Sequence, residues 1–415
     1  MSQEVLAYEQ ALRIVLGASA ALPAEACPLH ACLGRVLAAP VISAVDLPPF
    51  NNSAMDGFAL RGNSIVPAGT ELPVEGEQAA GDGLAQASHG AWEIMTGARV
   101  PDGLDRVIPV EQIERLSPSR IRLLADVPPG HNVRAAGSDV ARGAQVLEAG
   151  TLIRPQQLML LAALGVAEVS VRTRPRVAVI CTGRELVDDP RLALEPGQIR
   201  NSNGPFLAAR LPLAGAEVVH METVGDDAEA FGMAMRRAVQ AGARVILTSG
   251  AVSMGRYDFV PQALAWLGAE TLFHKVAIRP GKPLLFERLP NGTLLFGLPG
   301  NPIAVAVGLR FFVEPALRVM LGLPQETPRR VPLSKPYSKK PPLRFHLKSR
   351  LHVDAHGQLT VEVLEGQESY RIRPLAEANA WAVVPADVDA LPAGALVDVY
   401  GAGHLEFPLP CGGGA

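Results

Sequence analysis

RVAVICTG (176–183), AEVVHMETV (216–224) and ARVILTSG (243–250) are three apolar runs of strand length separated by stretches that read as helices. Runs with little polar alternation are what strands covered on both faces require. Between the first two, Asn203 predicts a cap for a helix through FLAARLPL (206–213). Asp226 and Asp227 stand where an N-cap belongs, ahead of AEAFGMAMRRAVQAG (228–242). DFVPQALAWLG (258–268) continues as helix, and TLFHKVAI (271–278) and PLLFERL (283–289) as strands. Pro290-Asn291-Gly292-Thr293 makes a hairpin turn into TLLFGLPG (293–300). PIAVAVGLRFFVEPALRVML (302–321) then reads as a long helix with Pro302 in its first turn. Strands alternating with helices predict an α/β domain over 174–326 with a mostly parallel sheet, whose ligands gather at the carboxyl ends of the strands.

The texture differs on either side. Residues 45–139 break into short strands with many Pro and Gly turns, such as LPVEGEQ (72–78), AWEIMTG (91–97), DRVIPVE (105–111) and RIRLLADVPPG (120–130), and predict a β-rich insert. Helical stretches at 3–17 and 151–166 bracket it, predicting a split helical and linker domain over 1–44 and 140–173. Residues 327–408 are β-rich again and predict a small C-terminal β barrel, with 409–415 as a tail. The fold class is therefore multidomain α/β plus β.

Composition narrows the function. With 38 Lys and Arg against 41 Asp and Glu, and 5% aromatic residues, the chain lacks the basic excess and stacking platforms of a nucleic-acid binder. Cys27, Cys32, Cys181 and Cys411 lack zinc-ligand spacing and predict buried thiols. No basic n-region precedes an apolar core at the start, and no run of about 18 apolar residues occurs. A cytoplasmic protein without membrane contact is expected.

Four loops of the α/β region suit anions. TSGAVSMGRYDF (248–259) sets Thr248, Ser249, Gly250, Ser253 and Gly255 after a strand, where small residues let backbone N–H groups approach a phosphate; an ordinary tight turn would need the same glycines. AIRPGKPLLF (277–286) follows Lys275 and sets Arg279 and Lys282 on a backbone stiffened by Pro280 and Pro283 around Gly281, either as fixed charges for an anion or as a solvated run. GLPGNP (297–302) places Gly300 and Asn301 at a helix start, where capping alone is the alternative. CTGREL (181–186) offers Thr182, Gly183 and Glu185 at a strand end. Glu185, Asp226, Asp227 and Asp258 supply carboxylates beside these cations, the oxygen ligands Mg2+ prefers next to phosphates, although each aspartate could instead cap a helix. In the β insert, DLPPFNNSAMDGFAL (46–60) presents Ser53 and Asp56. IMTGARVPDGLDRVIPVE (94–111) exposes Thr96, and NVRAAGSDVARG (132–143) joins Arg134 to Asp139.

Together these segments resemble the MoeA family of molybdopterin molybdenumtransferases, found also as the E domain of gephyrin. The resemblance is carried by PPFNNSAMDGFA (48–59), TGARVPDGLD (96–105), GSDVARG (137–143), TGREL (182–186), GQIRNSN (197–203), TSGAVSMGRYDF (248–259), RPGKP (279–283) and GLPGNP (297–302), in the family's order, with LAEAN (375–379) beyond. It implies an elongated four-part homodimer. The implied reaction takes adenylylated molybdopterin and molybdate, with Mg2+, inserts the metal and releases AMP. The partners it implies are other molybdenum-cofactor biosynthesis proteins and molybdoenzyme chaperones.

Carried over by position, the resemblance implies catalytic roles for Asp56, Thr96, Asp139, Glu185, Asp227, Asp258, Lys275 and Lys282. Asp56 and Thr96 would reach toward the α/β domain of a second protomer. Binding roles are implied for Arg134, Thr182, Gly183, Ser249, Gly250, Ser253, Arg279, Gly281, Gly300, Asn301 and Ser369, the last as a serine that holds molybdate. The implied metal ligands are Glu185, Asp227 and Asp258. The sequence departs from the family at Leu347, where many members carry an arginine tied to oxyanion binding; Lys348, Arg371 and Arg373 are the nearby cations that could substitute. Arg184 replaces an acid, Ala251 a glycine, Asn51 an acid, and Arg279 stands where lysine is common. A pterin adenylyltransferase and a non-catalytic scaffold are the competing readings.

Overall fold

The computed structural model describes residues 5–250, 260–340, 343–353 and 357–406, and the chain forms two compact units. One holds residues 1–25, 34–38 and 170–415, and the other holds 26–33 and 39–169.

The larger unit is built on a six-stranded sheet. Its strands are β1 (Arg176–Thr182), β2 (Glu217–Val224), β3 (Val245–Ser249), β4 (Glu270–His274), β5 (Leu285–Arg288) and β6 (Leu294–Leu298), in the order β2-β1-β3-β6-β5-β4. The first four in that order are mutually parallel, while β5 is added antiparallel through the hairpin at Pro290–Thr293 and β4 lies antiparallel to β5. The side-chain period of two explains the continuous apolar runs. Val177, Val179 and Cys181 of β1 face one buried layer, and Ala178 and Ile180 face the other. Helix α1 (Asn203–Leu213) covers the first layer through Leu207 and Leu211. Helix α2 (Ala228–Gln240) covers the second through Phe231, Ala234, Met235 and Ala238, with Leu264 of α3 (Val260–Trp266) beside it. A fully buried side chain such as Phe231 contributes about 1.5–3 kcal/mol.

The long helix expected over 302–321 is observed as three consecutive segments: α4 (Pro302–Gly308), a π-helical stretch (Leu309–Val313) and α5 (Glu314–Met320). Arg310 and Glu314 lie buried here. The Arg310 guanidinium lies 2.6 Å from Glu326 and 3.6 Å from Glu314, and Arg210 lies 3.5 Å from Glu314. Burial outweighs these two guanidinium charges and pushes the Glu314 carboxyl up to about 7.

At the N-terminal end the helix begins at Tyr8 and runs to Ala18, later than the stretch at 3–17 predicts, and it packs Tyr8, Ala11 and Val15 into the first layer. It belongs to the larger unit, whereas the second helical stretch, Pro155–Ala163, belongs to the smaller. The two helical stretches thus fall in different compact units, the first using its apolar face on the α/β core.

Where the sequence predicts a small barrel over 327–408, six strands form a mixed sheet that turns back on itself. Its order is Ile278–Arg279, Arg344–Val353, Ala380–Val384, Leu396–Gly401 and Arg329–Pro332, with Leu359–Val363 paired to Arg344–Val353. A bridge from Leu333 to Val361 links its far end to that sixth strand. The outer strand Ile278–Arg279 comes from the α/β segment, which no pattern local to 327–408 could reveal. In the smaller unit a second mixed sheet runs in the order Arg106–Pro109, Gly57–Leu60, Ala91–Ile94, Glu71–Gln78, Arg120–Leu123 and Ile113–Ser117.

Candidate functional site

The chain leaves β1 toward β2 on one side and reaches β3 on the other, so the strand order reverses between β1 and β3. Open α/β sheets form crevices at such a point, outside the carboxyl ends of the strands. A cavity of about 770 Å³ lies there. Thr182, Gly183 and Glu185 line it after β1, Ser249 and Gly250 after β3, and Gly300 and Asn301 after β6. Seven residues expected to bind or act are therefore gathered about one cavity.

Two glycines are required by this approach. Gly183 has φ +149°, and a Cβ there would stand 2.6 Å from the Glu185 carboxylate. Gly250 has φ +101°, and a Cβ there would stand 2.5 Å from the Thr182 carbonyl oxygen. The Gly250 amide donates to the Leu298 carbonyl at 3.0 Å, and the Thr182 hydroxyl donates to the Ser249 carbonyl at 3.2 Å. The three strand ends are thus laced to one another by one main-chain amide and one side-chain hydroxyl. Thr248 does not join them; it is fully buried in β3.

Sequence reasoning gave the 197–203 segment to the family resemblance without assigning it a site role, yet Arg200, Asn201, Ser202 and Asn203 all line the cavity. Asn203 is the first residue of α1 and does not cap it. Its buried amide donates 2.8 Å to the Ser249 hydroxyl and 2.8 Å to the Gly300 carbonyl, tying the loop after β3 to the loop after β6. Capping falls to Asn201, whose side-chain oxygen accepts from the Gly204 amide at 3.0 Å. The Asn-Ser-Asn run was the available signal. Its two asparagines serve different ends.

The acids divide as well. Glu185 and Asp226 line the cavity. Asp227 is the cap of α2, accepting from the Ala230 amide at 2.7 Å, and is not among the lining residues. Asp258 and Ser253 lie outside the described residues. Among the described residues no group of three His, Cys, Asp or Glu side chains is gathered to hold a metal.

Of the cationic turn, Pro283 lines the cavity, while Lys275, Arg279, Gly281 and Lys282 do not. Lys275 is held at φ +78°, a region that residues other than glycine rarely occupy. Its amide donates to the Leu284 carbonyl at 2.9 Å, and its carbonyl accepts from the Leu6 amide at 3.2 Å. The Arg279 guanidinium lies 5.4 Å from the centre of the Phe345 ring, and Lys282 is exposed.

The segment between the strands Leu359–Val363 and Ala380–Val384 adds a wall to the cavity through Tyr370 and Ile372. Ser369 sits next to them, its carbonyl accepting from the Ile303 amide at 3.0 Å in the first turn of α4. Leu347 is buried in its strand. Lys348 does not supply a replacement charge to the cavity: it is fully buried and its ammonium donates to loop carbonyls. Arg371 pairs with Glu368 at 3.1 Å and Arg373 with Glu377 at 3.3 Å.

The smaller unit holds the other four expected residues. Asp56 follows the strand Asn52–Ser53, where the Ser53 hydroxyl donates to the Met55 carbonyl at 2.5 Å and shapes the turn. Thr96 closes on Asp56 through its amide at 2.6 Å and its hydroxyl at 2.7 Å. Those two donors, the amide first, hold the exposed Asp56 carboxyl below its ordinary range. Arg134 is exposed on a short strand opposite Asn52, and the Asp139 amide donates to the Leu47 carbonyl at 2.9 Å.

Comparison with known proteins covers nearly the whole chain. Residues 6–165 match the MoeA N-terminal region (domain I and II), 178–319 the probable molybdopterin binding domain, and 330–401 the MoeA C-terminal region (domain IV). A molybdopterin molybdenumtransferase of Synechococcus elongatus is 39% identical over 405 residues, spanning 95% of this chain and 99% of that protein. One of Staphylococcus aureus is 32% identical over 400 residues, 94% of each. The crystal structure of a molybdopterin biosynthesis MoeA protein from Pyrococcus horikoshii superposes with a TM-score of 0.80 at 27% identity, covering 95% of this chain and 99% of that one. Its length matched region by region and its relatives aligned from end to end, the chain belongs to the MoeA family of molybdopterin molybdenumtransferases.

Proposed function

We propose that the protein inserts molybdenum into molybdopterin, taking adenylylated molybdopterin and molybdate and releasing AMP, a step of molybdenum cofactor biosynthesis. The observation that carries this reading is the convergence of three strand-end loops on one cavity in a chain that matches the family throughout. Its volume falls within the range of about 300–1,000 Å³ usual for small-ligand sites.

In this reading the loops at Thr182–Gly183, Ser249–Gly250 with Ser253, and Gly300–Asn301 bind the nucleotide-linked pterin, their small residues letting it approach the main chain closely. Lys275, Arg279 and Lys282 on the turn around Gly281 contribute positive charge as the phosphoanhydride opens. The two dithiolene sulfurs of the pterin take up molybdenum, one molybdate oxygen leaving as water with the two thiol protons. An oxygen of molybdate, passed on as that water, or a solvent water attacks phosphorus, the P–O bond of the anhydride breaks, and AMP leaves with release of a proton. Catalysis is positional and electrostatic, with no covalent enzyme intermediate. Ser369 holds molybdate beside Tyr370.

Glu185 and Asp226 suit Mg2+, which takes one or two carboxylates and completes its shell with phosphate oxygens and water. When bound, the ion neutralises phosphate charge; Asp227 and Asp258 stand close in sequence to these loops as further candidates. In the same reading the protein acts in the cytoplasm as a homodimer. Asp56, Thr96, Arg134 and Asp139 serve the α/β cavity of the other protomer. The product passes to other molybdenum-cofactor proteins and molybdoenzyme chaperones.

The test is incubation with adenylylated molybdopterin, Mg2+ and molybdate while AMP is followed. Release that depends on molybdate, and that falls at least about a hundredfold in Glu185→Gln, supports the reading. Consumption of ATP to make adenylylated pterin would indicate an adenylyltransferase, and neither activity would indicate a scaffold.

A further inference from the structure

A lysine inside a β-sheet core needs a reason. Lys348 is 0% exposed in the middle of the strand Arg344–Val353. An ammonium has three N–H donors and no acceptor, so burying it is costly unless each donor finds an oxygen. Here Nζ donates to the Gly366 carbonyl at 2.7 Å, the Arg371 carbonyl at 2.9 Å and the Glu368 carbonyl at 3.4 Å. All three belong to one loop, 366–371. Burial draws the Lys348 pKa down, while Glu368 draws it up.

Gln367 fastens the same loop to the same residue by its backbone. The Gln367 side-chain oxygen accepts from the Lys348 amide at 3.1 Å, and its amide group donates to the Lys348 carbonyl at 2.9 Å and the Leu364 carbonyl at 2.7 Å. Three carbonyl dipoles that converge on one point repel each other without a cation between them. The lysine therefore supplies the charge that holds these three carbonyls toward one point.

The far side of this loop meets the site. Ser369 accepts from Ile303 at the start of α4, and Tyr370 and Ile372 form part of the cavity wall. We propose that Lys348 is a positioning residue for the oxyanion half of the site, clamping the 366–371 loop so that Ser369 and Tyr370 stand against the first turn of α4. The inference rests on the reading of Ser369 as a molybdate contact. It also changes what the missing arginine at position 347 means: the neighbouring cation sets the place of the loop and does not itself meet the oxyanion.

The test uses the full-length protein and the variants Lys348→Met, which removes the donors, and Lys348→Arg, which keeps the charge. Half-saturating molybdate is measured by AMP release, and adenylylated molybdopterin binding is measured separately at equilibrium. Lys348→Met is expected to raise half-saturating molybdate about tenfold or more, with nucleotide affinity within about twofold, and Lys348→Arg to recover part of the loss. Amide exchange at 366–372 should accelerate in Lys348→Met. A folded Lys348→Met with unchanged half-saturating molybdate overturns the proposal, and so does an equal loss for both ligands. Should Lys348→Met not fold, Gln367→Ala decides: a loss selective for molybdate supports the clamp, and no change overturns it. If the wild-type protein releases AMP with no response to molybdate, the oxyanion reading fails instead, and exchange at 366–372 alone judges the clamp.

Discussion

One oxygen of Asp56 receives both the amide and the hydroxyl of Thr96, at 2.6 and 2.7 Å, across 40 residues of chain. The pair joins the Met-Asp-Gly turn to the Thr-Gly turn, so two segments of the smaller unit present a single charged feature. Both donors favour the ionised carboxylate and keep its pKa below the ordinary value.

Thr96→Val removes the hydroxyl and leaves the amide. The Asp56 pKa is then expected to rise part of the way toward the ordinary carboxylate value, because the charged form has lost one donor. Titration of the Asp56 carboxyl carbon by NMR measures this directly, and the acid limb of the pH–rate profile should move upward with it. An unmoved titration would show that the hydroxyl contributes nothing.

Asn203→Ala should uncouple two loops of the cavity at once, since one amide group serves both Ser249 and Gly300. At about 1 kcal/mol for each hydrogen bond, nucleotide affinity is expected to fall about tenfold or more, and stability by about 1–3 kcal/mol. Equilibrium binding and denaturant unfolding check the two figures separately.

Glycines 250 and 300 should respond differently to alanine although both line the cavity. At Gly250 the added carbon would stand 2.5 Å from a backbone oxygen, and the backbone has φ +101°. Gly250→Ala should therefore cost more than about 2 kcal/mol. At Gly300 the nearest atom is an ordinary 3.7 Å away, so Gly300→Ala should stay within about 1 kcal/mol of wild type. Thermal unfolding of the two variants side by side gives the comparison.

Glu314 makes stability depend on pH. Its folded pKa, about 7, lies above the ordinary 4.5, so between these values the folded state holds a proton that the unfolded state has released. Stability from this group is fully present below about pH 4.5 and declines as pH rises through 7. Glu314→Gln removes the dependence. Its stability relative to wild type should improve by roughly 1–3 kcal/mol between pH 5 and pH 8. A difference that is flat with pH would show that Arg310 and Arg210 keep the carboxylate ionised throughout.

The strands β1, β3 and β6 were readable because burial on both faces leaves a continuous apolar run ending in glycine, and the cavity loops follow those glycines directly. Other features carry no local pattern. Asn203 has the composition of a cap, and only the helix beginning at Asn203 itself shows that its amide reaches inward to Ser249 and Gly300. The resemblance gives Asp227 as a metal ligand; one of its oxygens accepts from the Ala230 amide, and it is the neighbouring Asp226 that lines the cavity. Lys348 looks like an outward residue because charge usually marks a solvated face. Its partners are main-chain carbonyls 18 to 23 positions away, which leave no trace in residue type. The strand Ile278–Arg279 is two residues long, too short for any periodicity.

That short strand has an architectural consequence. Leu6 pairs with Val276 on one side, with the Ala277 amide reaching its carbonyl at 2.8 Å, and the Arg344 amide reaches the Ala277 carbonyl at 3.0 Å on the other. A segment near the start of the chain and the first residue of the strand Arg344–Val353 are therefore both knitted into the bend that bears Lys275, Arg279 and Lys282. Removing Leu6 and its neighbours, or the sheet that begins at Arg344, to isolate a smaller catalytic piece would loosen those cations from a distance in sequence, so the α/β portion excised by itself is an unfit minimal enzyme.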